Sequence, residues 1–329
     1  MKKTIGRGLV VLVAVFALCA QTLALPETLV PVGRTVGIRL EAQPVVTGFS
    51  GEGCARDAGV RIGDCIVSVD GARIDSAEAL RQRIGPAPLR LGVTRDGDYL
   101  EFTVTPVKTG QDERIGLRLR DGITGVGTVT FYDPATGRCG ALGHGVNDPD
   151  TARPVQAAGG SLMAARVTAA IRGTAGRPGE LKASFSADEP VGRIERATAA
   201  GLFGTMRPPR GSRALPLAAA SQVRADRAMI LSNVEGDTVQ EFAVEILKID
   251  PENGEGRNFL LHVCDEALIG RTGGIVQGMS GSPIVQDGRL VGAVTHVLVD
   301  DPTLGYGISI ETMLAGAQPA SQTAGATSK

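Results

Sequence analysis

The chain has 329 residues, 34 Lys and Arg against 35 Asp and Glu, a formal net charge of −1, 45 glycines, 3% aromatic residues and no Trp. At that length two domains, or three, are expected, and the balanced, interspersed charge offers no basic face to a nucleic-acid partner. Abundant Gly, with Val, Ile, Leu and Ala as the main apolar residues, suits a mainly β fold with many tight turns.

Residues 1–25 read as a signal peptide, or as a membrane anchor if left uncut. Lys2, Lys3 and Arg7 supply the basic start, Leu9 to Ala20 the apolar run, and Thr22-Leu23-Ala24 a small-residue cleavage end. The run is short for a stable membrane span, and Leu18 is too large to make Cys19 a good lipoprotein cysteine. Export permits disulfides. Cys54, Cys65, Cys139 and Cys264 are nevertheless too few for a disulfide scaffold, so free thiols and a single bridge both stay open. His144, His262 and His296 show no ligand spacing with the cysteines, so no metal and no cofactor is expected.

From Val32 to Val107 the sequence has the character of a small α/β module. Val36 to Leu40 and Pro44 to Phe49 read as short strands, followed by Cys65 to Val69 and the turn Asp70-Gly71. Asp75 with Glu78 reads as a capping box for a helix carrying Ala77, Leu80 and Ile84 on one face. Leu89 to Val93 and Tyr99 to Val104 close a hairpin around Asp96-Gly97. The run Ala58-Gly59-Val60 through Gly63-Asp64 to Val69-Asp70-Gly71 resembles the bacterial PDZ domain. That resemblance implies capture of an extended peptide or C-terminus beside a sheet edge, with Val36, Gly37 and Ile38 in the carboxylate-binding loop. A packing domain with an unused groove is the alternative.

From Ile115 to Leu314 the apolar period becomes two, as in Val126 to Tyr132 and Glu241 to Leu247, with a hairpin signal at Asp287-Gly288. Many short strands with few helices argue for a sandwich or paired barrels. Asp188 to Arg213 reads as a long irregular connection. Residues 315–329, mostly Ala, Ser, Thr, Gln and Gly, read as a disordered tail.

One stretch carries chemistry: Gly278-Met279-Ser280-Gly281-Ser282-Pro283. A serine hydroxyl becomes a nucleophile when a base takes its proton and donors hold the oxyanion; glycines let the Gly278 and Ser280 amides turn toward one small hole. A Gly/Ser-rich hairpin loop without chemistry is the bland reading. Among the histidines, His144 is the candidate base because Gly143 and Gly145 flank it in a loop after a strand. His262 sits inside an apolar strand, and His296, with Thr295 and Val297, is placed to line a substrate pocket. Asp265 is chosen as the orienting carboxylate over Asp133, Asp148 and Asp150, since it ends the strand of His262 and precedes Ser280 by fifteen positions.

The serine loop resembles that of chymotrypsin-like proteases, with Met279 and Ser282 as departures, and a chymotrypsin-like double β-barrel is the expected fold. Gly125 to Pro134, Gly140 to His144, Gly278 to Ile284, Gly292 to Val297 and Asp301 to Gly307 together resemble the stage IV sporulation protein B family, PDZ-containing serine endopeptidases of endospore formers. The resemblance implies a triad of His144, Asp265 and Ser280. It also implies a protein exported across the inner forespore membrane and membrane-anchored before processing. Such a protein cleaves itself and then a membrane-associated partner in the intermembrane space. That cut would trigger intramembrane proteolysis and late sigma-factor activation. A general envelope quality-control protease and a non-catalytic peptide-binding adaptor are the other readings.

Overall fold

The computed structural model describes residues 26–318 apart from 52, 53, 156 and 212. The expected signal peptide, and the expected tail beyond residue 318, lie outside them. Strands β1 (Thr28–Pro31) and β2 (Thr35–Phe49) come first. An α/β module follows, with α1 (Cys54–Asp57), β3 (Cys65–Val69), β4 (Ala72–Arg73), α2 (Ala77–Arg81), β5 (Leu89–Arg95) and β6 (Asp98–Val104). A small hairpin, β7 (Val107–Thr109) and β8 (Asp112–Arg114), leads into β9 (Leu117–Tyr132). Then come β10 (Arg138–Ala141), β11 (Ala157–Ile171), β12 (Glu180–Thr198), β13 (Gly201–Met206) and β14 (Leu215–Pro216). The last part holds β15 (Arg227–Ser232), β16 (Gln240–Ile249), β17 (Phe259–Val263), α3 (Glu266–Thr272), β18 (Pro283–Gln286), β19 (Arg289–Leu298), β20 (Asp301–Ser309) and α4 (Ile310–Ala317).

These strands close into two barrels. The first runs β2-β9-β10-β13-β12-β11 and returns to β2; the second runs β15-β16-β17-β20-β19-β18. Numbered along the chain within each barrel, both show the same spatial order, 1-2-3-6-5-4. The mainly β, double-barrel expectation therefore holds.

The module is inserted between the first and second strands of the first barrel. Strands β2 and β9 run continuously out of that barrel, and their pairing shifts register between Glu41 and Val45. A bulge of this kind bends a strand pair and lets one ribbon serve two cores. Leu40, Leu162 and Ile194 fill the barrel side, and Val46, Ile66, Leu80 and Leu91 fill the module side. The first half of β2, expected within the module, thus belongs to the barrel, and β1 pairs with the far end of β9 beside it.

The same topology corrects the peptide-loop expectation. Val36, Gly37 and Ile38 pair with Gly127, Val126 and Gly125 on one side and with Ala164, Met163 and Leu162 on the other. A strand hydrogen-bonded on both edges cannot accept a third. Val36 and Ile38 point into the barrel core, and a methyl on Gly37 would lie 2.4 Å from the Phe185 ring.

Three local expectations change as well. The cap of α2 is Ser76, whose side chain accepts from the Ala79 amide, rather than Asp75. Residues 188–206 are ordered into β12 and β13, because their alternation was masked by polar residues on a strand with few fully buried positions. Helix α4 carries the chain to Ala317, past the expected start of the tail, by burying Ile310, Met313 and Leu314 across both barrels beside Phe131, Phe203 and Ile308.

Candidate active site

His144 lies in the connection from the third to the fourth strand of the first barrel, and Ser280 in the same connection of the second barrel. The two loops meet. Gly281 has φ +96°, and a methyl there would lie 2.0 Å from the Thr128 carbonyl oxygen and 2.6 Å from the Leu142 amide nitrogen. Gly143 has φ +73°, and a methyl there would come within 3.1 Å of Thr295 Cγ2. Only glycine meets both demands, a left-handed backbone and a close approach. These two glycines therefore set how near the histidine and serine loops come.

Thr128, wholly buried on β9, ties the serine loop to the first barrel. Its amide donates to the Ser280 carbonyl at 2.9 Å and its hydroxyl donates to the Gly278 carbonyl at 2.8 Å. With that carbonyl held back, Gly278 adopts φ +98°. Among the described residues neither the Gly278 amide nor the Ser280 amide has a hydrogen-bond partner, as the donors of an oxyanion hole require.

The Ser280 hydroxyl donates to the Thr295 carbonyl at 2.6 Å. Next along β19, the His296 ring lies 4.7 Å from the His144 ring, centroid to centroid, at 38°. His144 Nδ1 is 2.6 Å from the Gly145 carbonyl oxygen. A carbonyl can only accept, so the proton sits on Nδ1 and Nε2 is left as the acceptor a general base needs. Burial lowers the His144 pKa from the ordinary imidazole value against the opposing pull of that carbonyl, keeping the ring neutral. Desolvation, then the nearby His144 and Arg257, lowers His296 to about 4. Ser280, His144, Thr295, His296 and the half-buried Val297 are thus gathered at one place.

Asp265 does not join them. It caps α3, one carboxylate oxygen accepting the Leu268 amide at 3.0 Å and the other the Ala243 amide at 3.2 Å. Its place just after a strand looks the same in sequence whether it orients a base or starts a helix. Among the described residues no carboxylate bonds His144. The His144 loop instead rests on the β12–β13 turn, where a methyl on Gly145 would lie 3.4 Å from the Thr198 carbonyl oxygen.

Residues 111–314, more than half of the chain, match the family described as SpoIVB peptidase S55. The chain belongs to that family. That family is one of serine peptidases, hydrolases of peptide bonds. Partial similarity extends to two other bacterial proteins. A putative zinc metalloprotease of Bartonella henselae is 32% identical over 98 residues, 29% of this chain and 27% of that protein. The zinc metalloprotease RasP of Geobacillus kaustophilus is 36% identical over 80 residues, 23% of this chain and 19% of that protein. The chain thus spans about a quarter of the length of the curated relatives it matches. Among solved structures, the inactive form of the Rv3671c protease aligns at 15% identity, 58% of this chain and 82% of that one, with a TM-score of 0.33.

In this S55 peptidase all four described cysteines are free thiols. Burial pushes Cys139 up to about 12, so it stays protonated and unreactive. Thr128 was not legible in the sequence as part of the site. Its one signal is a polar residue between Val126 and Thr130 on the face of β9 opposite the core residue Val129, a pattern that other buried threonines share.

Proposed function

We propose that this S55 peptidase is an exported endopeptidase that cuts extended polypeptides in the cell envelope. Ser280 attacks the scissile carbonyl, His144 Nε2 takes its proton and returns it to the leaving amine, and the Gly278 and Ser280 amides hold the oxyanion. The observation that carries this reading is the meeting of the two equivalent barrel loops at Gly143 and Gly281. An extended substrate is supported by β19: its pairing with β18 ends at Ala293, so beyond Thr295 the edge opposite β20 has no strand partner among the described residues. Thr295, His296 and Val297 then flank the bound chain.

Peptide capture by the module, read as a PDZ domain, is supported by a different strand from the one expected. Residues Leu117 to Asp121 of β9 pair only with β2, and their other side faces α2, where Asp121 accepts the Ala77 amide at 2.7 Å. Leu117 and Leu119 line that side, half-buried against the module core.

Two physiological roles compete. A general envelope protease needs only the peptidase chemistry and an open substrate edge, and the present observations favour it. The sporulation role, self-cleavage followed by one cut in a membrane-associated partner, rests on the family resemblance and requires selectivity. No described helix is long and apolar enough to cross a membrane, and the anchoring reading rests on the apolar run Leu9 to Ala20. Incubating the purified chain with its own precursor and with several unfolded proteins separates the roles. Cleavage of many unfolded proteins supports the general protease, and cleavage of the precursor alone supports the signalling role. If the Ser280→Ala chain cleaves as fast as the parent in either assay, the endopeptidase reading fails.

A further inference from the structure

The loop that carries His144 is tied to the inserted module chiefly through Arg120. After His144 the chain forms a short hairpin: Val155 donates its amide to the Val146 carbonyl at 2.9 Å, and Asp148 donates its amide to the Arg153 carbonyl at 2.8 Å. Asp148 holds the tip together. Its Oδ1 accepts the Asp150 and Thr151 amides at 3.0 and 2.9 Å and the Thr151 hydroxyl at 3.1 Å. Its Oδ2 accepts from the Arg120 guanidinium at 3.0 Å, and the same guanidinium also pairs with Asp150. Arg120 sits on β9 between Leu119, packed on the module core, and Asp121, which holds the first amide of α2. The Asp148 side chain is 8% exposed and that of Arg120 31%, so this pair is partly desolvated and geometrically fixed. A second link, Arg153 to Asp96 of the β5–β6 turn at 2.9 Å, has both side chains more than half exposed and adds little by itself.

We infer that the Arg120–Asp148 pair is a positioning device for the catalytic base, setting the place of His144 from the module in a site where no carboxylate bonds the imidazole. The inference rests on the reading of His144 as the base. The hairpin begins two residues after His144, so a shift of its tip moves the ring relative to Ser280, and displacement of about 1 Å costs up to a hundredfold in rate. Arg120 lies on the stretch of β9 whose free edge faces α2. A peptide added there would press on the strand that holds the histidine loop.

The test uses the full chain and a short peptide substrate that reaches only the barrels. Arg120→Met is expected to lower kcat by about ten- to a hundredfold while leaving KM within about threefold. Arg120→Lys recovers part of the loss, because an ammonium meets one carboxylate where the guanidinium meets two. Asp148→Asn added to Arg120→Met costs little more than either change alone, since both remove the same link. An unchanged melting temperature in Arg120→Met separates positioning from unfolding. The inference is overturned if folded Arg120→Met keeps kcat within twofold of the parent, or if the two substitutions act additively. His144→Ala is run alongside: if it retains full activity, the base assignment itself has failed and the positioning role falls with it.

Discussion

Thr128 and Ser280 belong to different barrels, yet the amide of one donates to the carbonyl of the other at 2.9 Å. This bond and the Thr128 hydroxyl on the Gly278 carbonyl fix the serine loop on a strand of the first barrel. Ser280 is therefore positioned by both halves of the fold. Thr128→Val, which keeps the shape and removes the hydroxyl, frees the Gly278 carbonyl and loosens the backbone that aims the Gly278 and Ser280 amides. We predict a kcat loss of about 10²–10³, the scale of losing one oxyanion donor, with KM little changed. Steady-state kinetics on a short peptide would check it, and a kcat equal to the parent's would remove Thr128 from the account.

Asp265 gives a prediction in the opposite direction. As a helix cap, it is replaceable by Asn, which also accepts from the N-terminal amides of a helix. Asp265→Asn should retain kcat within about tenfold, and Asp265→Ala should lose about 0.5–2 kcal/mol of stability by removing the cap. Loss of about 10⁴ in kcat for Asp265→Asn, as for a triad acid, would show that the carboxylate swings to His144 during catalysis.

The loops of His144 and Ser280 were more legible than any acid beside them. The glycines around Ser280 and His144 announce sharp turns, and Gly143, Gly278 and Gly281 have the positive φ such turns need. The α/β module, too, was visible from its turns: Asp96 and Gly97 have the positive φ values expected of that hairpin, 52° and 97°. The insertion point was not. Val36 to Ile38 read equally well as a module strand and as a barrel strand, and only pairing with β11, more than 120 positions later, decides between them. Long-range pairing leaves no local mark on residues of the same period.

Within the module, Asp64 is 1% exposed and meets Arg95 through two bonds of 2.7 Å, with the Arg61 amide as a further donor at 2.8 Å. Removing one member of a buried pair leaves the other charge uncompensated, at about 3–5 kcal/mol. Arg95→Met should therefore destabilise the module strongly, while Arg95→Met with Asp64→Leu should recover most of the loss. Chemical denaturation of the two variants would check this; equal destabilisation would mean that the pair is screened.

The two histidines set the response of the fold to acid. Both have pKa values lowered in the folded chain, so the unfolded chain binds more protons below the ordinary imidazole value of about 6.5. Their contribution to stability is full above pH 6.5 and is lost as pH falls toward about 4, the His296 value. His296→Gln should flatten that decline in melting temperature between pH 6.5 and 4. A slope unchanged by the substitution would show that the ring titrates as if free in water.

The most direct measurement is labelling of the folded chain with a serine-directed fluorophosphonate, followed by mass mapping of the adduct. The account predicts one adduct on Ser280, fast in the parent chain and slowed by orders of magnitude in His144→Ala, with the Asp265→Asn chain still labelled. An unlabelled Ser280 in correctly folded protein, or labelling that is as fast without the His144 imidazole, would contradict it.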